Sequence, residues 1–277
     1  METKTKKLKK NLLIWYKTNK RSFKWRSTKD PWKILLIEII SQQTQINRAN
    51  TYYQKFIKKF PTPESMSESS LKTILKMWSG LGYNNRAIRL YKSSKLISEK
   101  GFKNIYPNFE LLPGVGQYTK NAILSFAYGD KVLAVDINLQ RVLTRYFAID
   151  STEKYVEKYS DFLLTDVDSR DLNQALMDLG SSICTSSNPK CDICPLEKNC
   201  KKYILKSKKS IEKFKGSNRE VRGKIIKLLI MENQIAIKDI VKKTCEDEAK
   251  IINAINGLES DGLLTIMKNN IIEINSN

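Results

Sequence analysis

Along most of the chain apolar residues recur every three or four positions, the spacing of amphipathic helices, and no convincing strand is expected before Gly216. A first helix is predicted over Asn11–Tyr16, after which Phe23–Arg26 leads into a loop. Asp30-Pro31 reads as a helix cap with proline at the first helical position. The helix it opens, WKILLIEIISQQTQINRANTYYQKFIKKF, is apolar on nearly every face at its start, so that part should be deeply buried. Helices at Glu64–Met77 and Asn85–Lys100 are separated by WSGLGYNN, where Gly80 and Gly82 mark a sharp reversal. Phe109–Leu112 closes a short helix, Pro113–Gly116 forms a turn, and Gln117–Tyr128 carries Ala122, Ile123 and Phe126 at helical spacing. Asp136 stands immediately before INLQRVLTRYF, in the place of an N-cap. A last pair of helices, around Tyr155–Leu164 and Leu172–Ile183, leads into a loop that holds most of the cysteines.

Past that loop the pattern changes. A lysine-rich linker over residues 204–217 precedes VRGKIIKLLIMEN, IKDIVKKT and EAKIINAINGLESDGLL, which read as three helices. LLTIMK and IIEIN read as strands joined at Asn269-Asn270, a hairpin turn. The tail, residues 218–277, therefore resembles a winged helix, although its third helix carries only Lys250 and several asparagines. Two roles stay open for it, added grip on a duplex or docking of a protein partner.

Composition narrows the partner. With 49 Lys+Arg against 29 Asp+Glu the 277-residue chain carries +20, which favours a polyanion, DNA or RNA, although a lysine-rich proteome gives the same sign. Its length suffices for one large core and a small satellite domain, and 41% hydrophobic with 9% aromatic residues argue for a folded globule. The longest apolar run, Ile34–Ile40, is broken by Glu38 and too short to span a membrane. The basic start lacks the apolar stretch and cleavage site of a signal peptide. A cytoplasmic, nucleoid-associated protein without a membrane partner is expected. The absence of histidine removes imidazole acid–base chemistry and imidazole metal ligands.

Four cysteines form a C-x6-C-x2-C-x5-C run, Cys184, Cys191, Cys194 and Cys200, which in a cytosolic chain points to a metal or iron–sulfur centre rather than disulfides. Four thiolates suit a tetrahedral zinc or a [4Fe–4S] cube, and chemistry alone leaves both open. Cys245 reads as a small apolar helix residue. Glu38 is costly in so apolar a run unless paired, protonated or functional; a carboxylate reaching a helix end or an arginine is the plain alternative. The glycine turn at 113–116 lets backbone approach closely, and the next helix's first amides can hold a phosphate; an ordinary helical corner looks the same.

PWKILLIEIISQQTQ, LGYNNRA, LPGVGQYT, AVDINLQRVLTRYF, LMDLGSSIC and the cysteine spacing occur in the order found in the helix-hairpin-helix DNA glycosylases, over roughly residues 8–203. The chain most resembles the MutY adenine glycosylases, with endonuclease III and the thymine mismatch glycosylases as close relatives. The resemblance implies an all-α, two-lobed glycosylase domain over 1–203 with DNA between the lobes. It also implies a [4Fe–4S] cluster on Cys184, Cys191, Cys194 and Cys200 that supports a basic DNA-contacting loop without performing redox catalysis. DNA contacts are implied at Gln42, Gln43, Gln45, Tyr83, Gly114, Gly116 and Arg26. The partner implied is double-stranded DNA containing a mispair, bound by a monomer.

The same resemblance assigns the chemistry. Glycosidic cleavage of a flipped nucleotide needs an acid to protonate the leaving base and an anion beside the sugar cation. Glu38 matches the family's acid, Asp136 its anion and Asn138 an assisting asparagine. Tyr118 stands where lyase-competent relatives carry a lysine, and a phenol forms no Schiff base, so a monofunctional enzyme is expected. Lys120 lies about 200° round the helix from Tyr118 and should not substitute. Two departures stand out: the family's Asp-Gly-Asn reads Asp136-Ile137-Asn138, and the tail replaces the MutY domain that reads 8-oxoguanine. Gln42–Gln45 resembles the adenine type. The expected activity is removal of adenine mispaired with G or 8-oxoguanine, with removal of thymine or uracil opposite G second and a non-catalytic iron–sulfur DNA-binding regulator third.

Overall fold

The computed structural model describes residues 2–149, 159–202 and 215–275 and is mostly helical, with a short sheet near the C-terminus. Its described residues form two compact units. The first draws on Met1–Glu38, Pro107–Glu110 and Val115–Lys208, the second on Ile39–Tyr106, Leu111–Gly114 and Lys209–Asn277. Among the described residues no helix is long and apolar enough to cross a membrane.

The core of the first unit draws chiefly on α1 (Glu2–Asn19), α9 (Ile137–Phe147) and α10 (Ser169–Ser182), with Leu163 and Leu164 also buried in it. Leu8, Leu12 and Tyr16 of α1 pack with Leu139, Val142, Leu143 and Tyr146 of α9 and Leu172, Ala175, Leu176 and Leu179 of α10. α9 and α10 approach closely because Gly180 has no side chain: a Cβ there would lie 2.6 Å from the Asn138 Cβ and 2.8 Å from its carbonyl oxygen. Near the other end of α1 the structure buries an ion cluster. Asp178, its side chain only 1% exposed, accepts from Arg21 Nε at 2.5 Å and from Arg26 Nη1 and Nη2 at 2.6 Å. Burial pushes its pKa up, but the two guanidiniums more than offset this and hold it below the ordinary carboxylate value.

Between α8 (Gln117–Ile123) and α9 the chain is irregular. A π-helical turn, Leu124–Tyr128, ends in Gly129 at φ +78°, and residues 130–135 lead irregularly to Asp136, with the Val132 N–H donating to the Asp130 carbonyl at 2.9 Å and the Asp136 N–H to the Ala134 carbonyl at 3.1 Å. Buried backbone without a ladder needs other partners, and two asparagines supply them. Asn173 Oδ1 accepts from the Ala134 N–H at 2.9 Å while its Nδ2 donates to the Val132 carbonyl at 2.9 Å. Asn121 Nδ2 donates to the Leu133 carbonyl at 2.8 Å.

The second unit contains α3 (Ile46–Lys59), α4 (Pro63–Ser67), α5 (Leu71–Trp78), α6 (Asn85–Lys100) and α7 (Phe102–Ile105). It also holds the C-terminal α11 (Asn218–Glu232), α12 (Ile237–Thr244) and α13 (Glu248–Ser260), with β1 (Gln234–Ala236), β2 (Leu264–Ile266) and β3 (Ile271–Ile274). The sheet is antiparallel in the order β1-β3-β2, pairing Ile235 with Ile272 and Leu264 with Ile274. β2 and β3 are joined through Asn269 and Asn270, both at positive φ as a tight hairpin requires.

The departures from the predicted elements have local causes. The long helix from Trp32 is two: α2 (Pro31–Ser41) stops and α3 starts at Ile46, with Gln43 left-handed at φ +55°. The predicted Glu64–Met77 helix divides because Ser70 caps a fresh start, its Oγ accepting from the Thr73 N–H at 3.1 Å. The predicted Gln117–Tyr128 helix widens into the π turn after Ile123. β1 was not anticipated, being too short to display alternation. Residues 155–158 of the predicted Tyr155–Leu164 helix and 204–214 of the linker lie outside the described residues.

Asn173→Ala should cost about 2–4 kcal/mol in denaturant unfolding, because it strands buried groups of the 130–135 segment. Amide exchange at Ala134 should accelerate with it; an unchanged midpoint would show that this support is dispensable.

Candidate active site

Glu38 sits in the last turns of α2 and is 7% exposed, in a stretch of sequence that is otherwise apolar. Burial raises its pKa to about 7, with the Asp136 charge pushing the same way; the Tyr118 hydrogen bond and the Arg26 charge pull it down without cancelling the rise. The Tyr118 phenol is driven well above its ordinary value, first by burial and then by the charges of Glu38 and Asp136. It therefore keeps its proton and donates to the Glu38 carboxyl.

Asp136 caps α9. Its Oδ1 accepts from the N–H groups of Asn138 at 3.0 Å and Leu139 at 2.7 Å, and its Oδ2 accepts from Asn138 Nδ2 at 2.8 Å. Three donors and the positive end of a helix suit a group that works as an anion. Asn138 is fixed in turn, its Oδ1 accepting from Arg141 Nη2 at 2.7 Å. Arg141 is anchored on the Gly180 carbonyl at 2.6 Å and, through Nε, on the Cys184 carbonyl at 2.6 Å. A continuous chain of hydrogen bonds thus runs from the cysteine loop to Asp136. Ile137 is 74% exposed beside it, so the apolar bulk in place of glycine faces outward.

The structure brings together Glu38, Tyr118, Asp136 and Asn138 of the expected residues. Arg26 differs from its expected DNA contact. Its guanidinium is 9% exposed and forks onto Asp178, so it reaches the site as a nearby buried charge acting on Glu38 and Tyr118. Gln43 and Gln45 are exposed in the turn after α2, whereas Gln42 donates to the Gly114 carbonyl at 3.2 Å. Gly114, at φ +86°, lies against Arg89, where a Cβ would meet the Arg89 Cβ at 3.0 Å. Gly116 opens α8 without a side-chain cap. Tyr83 is 42% exposed at φ +47°. Lys120 pairs with Glu110 at 2.9 Å.

The four cysteines lie on one loop. Cys184, Cys194 and Cys200 pack partly buried against the α1/α9/α10 core. Arg145 Nη1 donates to Cys184 Sγ at 3.4 Å and the Lys202 N–H to Cys200 Sγ at 3.4 Å. Among the described residues no three Cys, His, Asp or Glu side chains converge as ligands of a single metal ion.

Three structurally important residues were not foreseen. Arg141 lies three residues after Asn138 on a predicted helix, so its reach was readable from spacing. Asn173 and Asp178 are polar residues on the buried side of an otherwise ordinary helix, and only their distant partners reveal them.

Burial of Glu38 has a stability signature. A carboxyl whose folded pKa lies above its unfolded value destabilises the fold increasingly between the two, and fully above the folded one. Glu38→Gln should therefore raise Tm by several degrees at about pH 8 and very little at about pH 5. A Tm gain independent of pH would contradict a neutral, buried carboxyl.

Residues 36–163 match the family described as HhH-GPD superfamily base excision DNA repair protein. The adenine DNA glycosylase of Buchnera aphidicola from Baizongia pistaciae is 42% identical over 202 residues, 70% of this chain and 57% of that protein, so this chain spans little more than half its length. The adenine DNA glycosylase of Mycobacterium tuberculosis H37Rv is 30% identical over 271 residues, 92% of this chain and 89% of that one. A solved thermostable thymine-DNA glycosylase is 31% identical with a TM-score of 0.67, covering 73% of this chain and 97% of that one. The chain belongs to the HhH-GPD superfamily of base excision DNA repair proteins and, within it, to the adenine DNA glycosylase family.

Proposed function

We propose that the chain is a monofunctional DNA N-glycosylase of base excision repair that removes adenine mispaired with G or 8-oxoguanine from double-stranded DNA, acting as a monomer. The observation that carries this reading is the coupling of Glu38, Tyr118 and Asp136, an acid poised near neutrality beside a protonated phenol and a carboxylate. In this reaction Glu38 gives its proton to a ring nitrogen of the flipped adenine. The glycosidic C–N bond then breaks with its electron pair leaving on the base. Asp136, held by Asn138 and two backbone amides, stabilises the oxocarbenium-like sugar until water adds at C1′ and loses its proton to a carboxylate of the pair. Tyr118 offers no amine for a Schiff base, and Lys120 is engaged with Glu110, which supports an abasic-site product without strand cleavage.

The exposed Gln43 and Gln45 and the ring of Tyr83 are read as duplex contacts, with Gln42, Gly114 and Gly116 shaping the turns that present them. Cys184, Cys191, Cys194 and Cys200 are read as the ligands of a [4Fe–4S] cluster. Arg145 Nη1 donates to the Cys184 sulfur and the Lys202 N–H to the Cys200 sulfur, contacts that would favour thiolate ligands in such a centre. The cluster would supply structural support for the loop from which Arg141 steadies Asn138. Residues 1–203 serve as the glycosylase domain, 204–217 as a basic linker and 218–277 as a winged-helix-like domain. The likeness to the thymine-DNA glycosylase favours one second reading, removal of thymine or uracil opposite G.

Single-turnover assays on A·8-oxoG, A·G, T·G and U·G duplexes separate these readings. Release of adenine, with a loss of about 10²–10⁴-fold in Asp136→Asn, is expected. Product from T·G but not from A·8-oxoG would overturn the adenine assignment. Borohydride should trap no full-strength covalent complex, and efficient trapping would refute the monofunctional claim.

A further inference from the structure

The turn between α5 and α6 is unusually well braced for a surface loop. Tyr52 Oη donates to the Ser79 carbonyl at 2.7 Å, Arg48 donates to the Gly80 carbonyl, and Trp78 Nε1 donates to the Gly82 carbonyl at 3.0 Å. The buried Arg86 reaches the carbonyls of Leu81 at 3.2 Å and Gly82 at 3.0 Å, and with its other nitrogen those of Ile40 at 2.9 Å and Gln42. At the tip stands Tyr83, a non-glycine residue in the left-handed region, where backbone strain concentrates at functional sites. Its ring is 42% exposed, with the Arg86 guanidinium 5.6 Å from its centroid.

A second guanidinium comes from the C-terminal domain. Arg219, in the first turn of α11, donates to the Tyr83 hydroxyl and lies 5.3 Å from the ring centroid. An exposed aromatic face with a guanidinium at its side is a stacking surface for bases with a cation, Arg219, set for a phosphate, while the buried Arg86 is spent on carbonyls and braces the turn. An acidic protein could use the charge, but would have no need of a rigidly presented ring.

We infer that Tyr83 and Arg219 form one composite duplex contact, through which the C-terminal domain takes part in DNA recognition rather than serving as a protein-docking module. This rests on the DNA glycosylase reading above. The domain adds a guanidinium at the side of a tyrosine that the glycosylase unit holds at fixed geometry, so the two elements should act together on one stretch of duplex.

The test is binding of the full chain to an A·8-oxoG duplex by fluorescence anisotropy across a salt series. Arg219→Ala should weaken Kd about tenfold and reduce the slope of log K against log salt by about one. Lys227→Ala removes the same charge from an exposed site on α11 that no described contact links to Tyr83, and should change Kd by less than about twofold. Should Arg219→Ala unfold the domain, Arg219→Lys is read instead; it keeps the salt slope and loses about threefold in Kd if the planar fork matters, and an unchanged Kd overturns the inference. Equal losses in Arg219→Ala and Lys227→Ala would reduce the effect to net charge and overturn it. Wild-type affinity in Arg219→Ala, with the wild type cleaving a mispair, overturns it alone and leaves protein docking. A wild type that neither binds nor cleaves any mispaired duplex sinks the glycosylase reading as well.

Discussion

A carboxyl group buried within a helix whose flanking residues are isoleucines and leucines is the constraint around which this molecule is arranged. Glu38 follows Ile34, Leu35, Leu36 and Ile37 and precedes Ile39 and Ile40, all nearly inaccessible to water. Leaving an ionised carboxylate there is expensive, so the group stays neutral into the neutral pH range. That cost becomes useful when the group must deliver a proton. The surroundings do not relieve it fully: the positive charge of Arg26 is nearby, yet its guanidinium is committed to Asp178. If Arg26 paired directly with Glu38, the acid would ionise and the proton would be lost.

The second requirement is an anion that stays in place. Asp136 lies at the end of an irregular segment, which ordinarily would be mobile, and the fold compensates with side chains from elements far along the chain. Asn121 and Asn173 hold the approach, Asn138 and the α9 amides hold the carboxylate, and Arg141 ties that assembly to α10 and the cysteine loop. Gly180 completes the arrangement by letting α10 approach the Asn138 backbone. A cluster on the four cysteines would stiffen the loop end of this chain, a structural role at a distance from the chemistry.

Much of this was legible in the sequence, and the exceptions share a physical cause. Periodicity located the helices, and an acidic residue in an apolar run singled out Glu38 before any partner was known. Asp136 was readable as a cap, and it is one; its second oxygen, free for Asn138, is what a cap alone does not predict. The break after Ile123 was hidden because apolar spacing continues through Leu124 and Phe126, whereas the polar run 41–45 reads equally as an exposed stretch of one helix until Arg86, from a distant helix, is seen on the Ile40 and Gln42 carbonyls. Arg26 misled for the same reason. A basic residue near a predicted DNA surface looks like a phosphate ligand until its buried partner, Asp178, more than 150 residues away, is seen.

The central claim is that Glu38 carries the proton the leaving base requires, and the single-turnover rate of adenine release against pH tests it most directly. The rate should be level on the acid side and fall about tenfold per pH unit above about pH 7, as the carboxyl ionises. Glu38→Gln should lose that limb together with most of the activity. A wild-type rate that stays flat, or rises, through about pH 9 would contradict Glu38 as the acid.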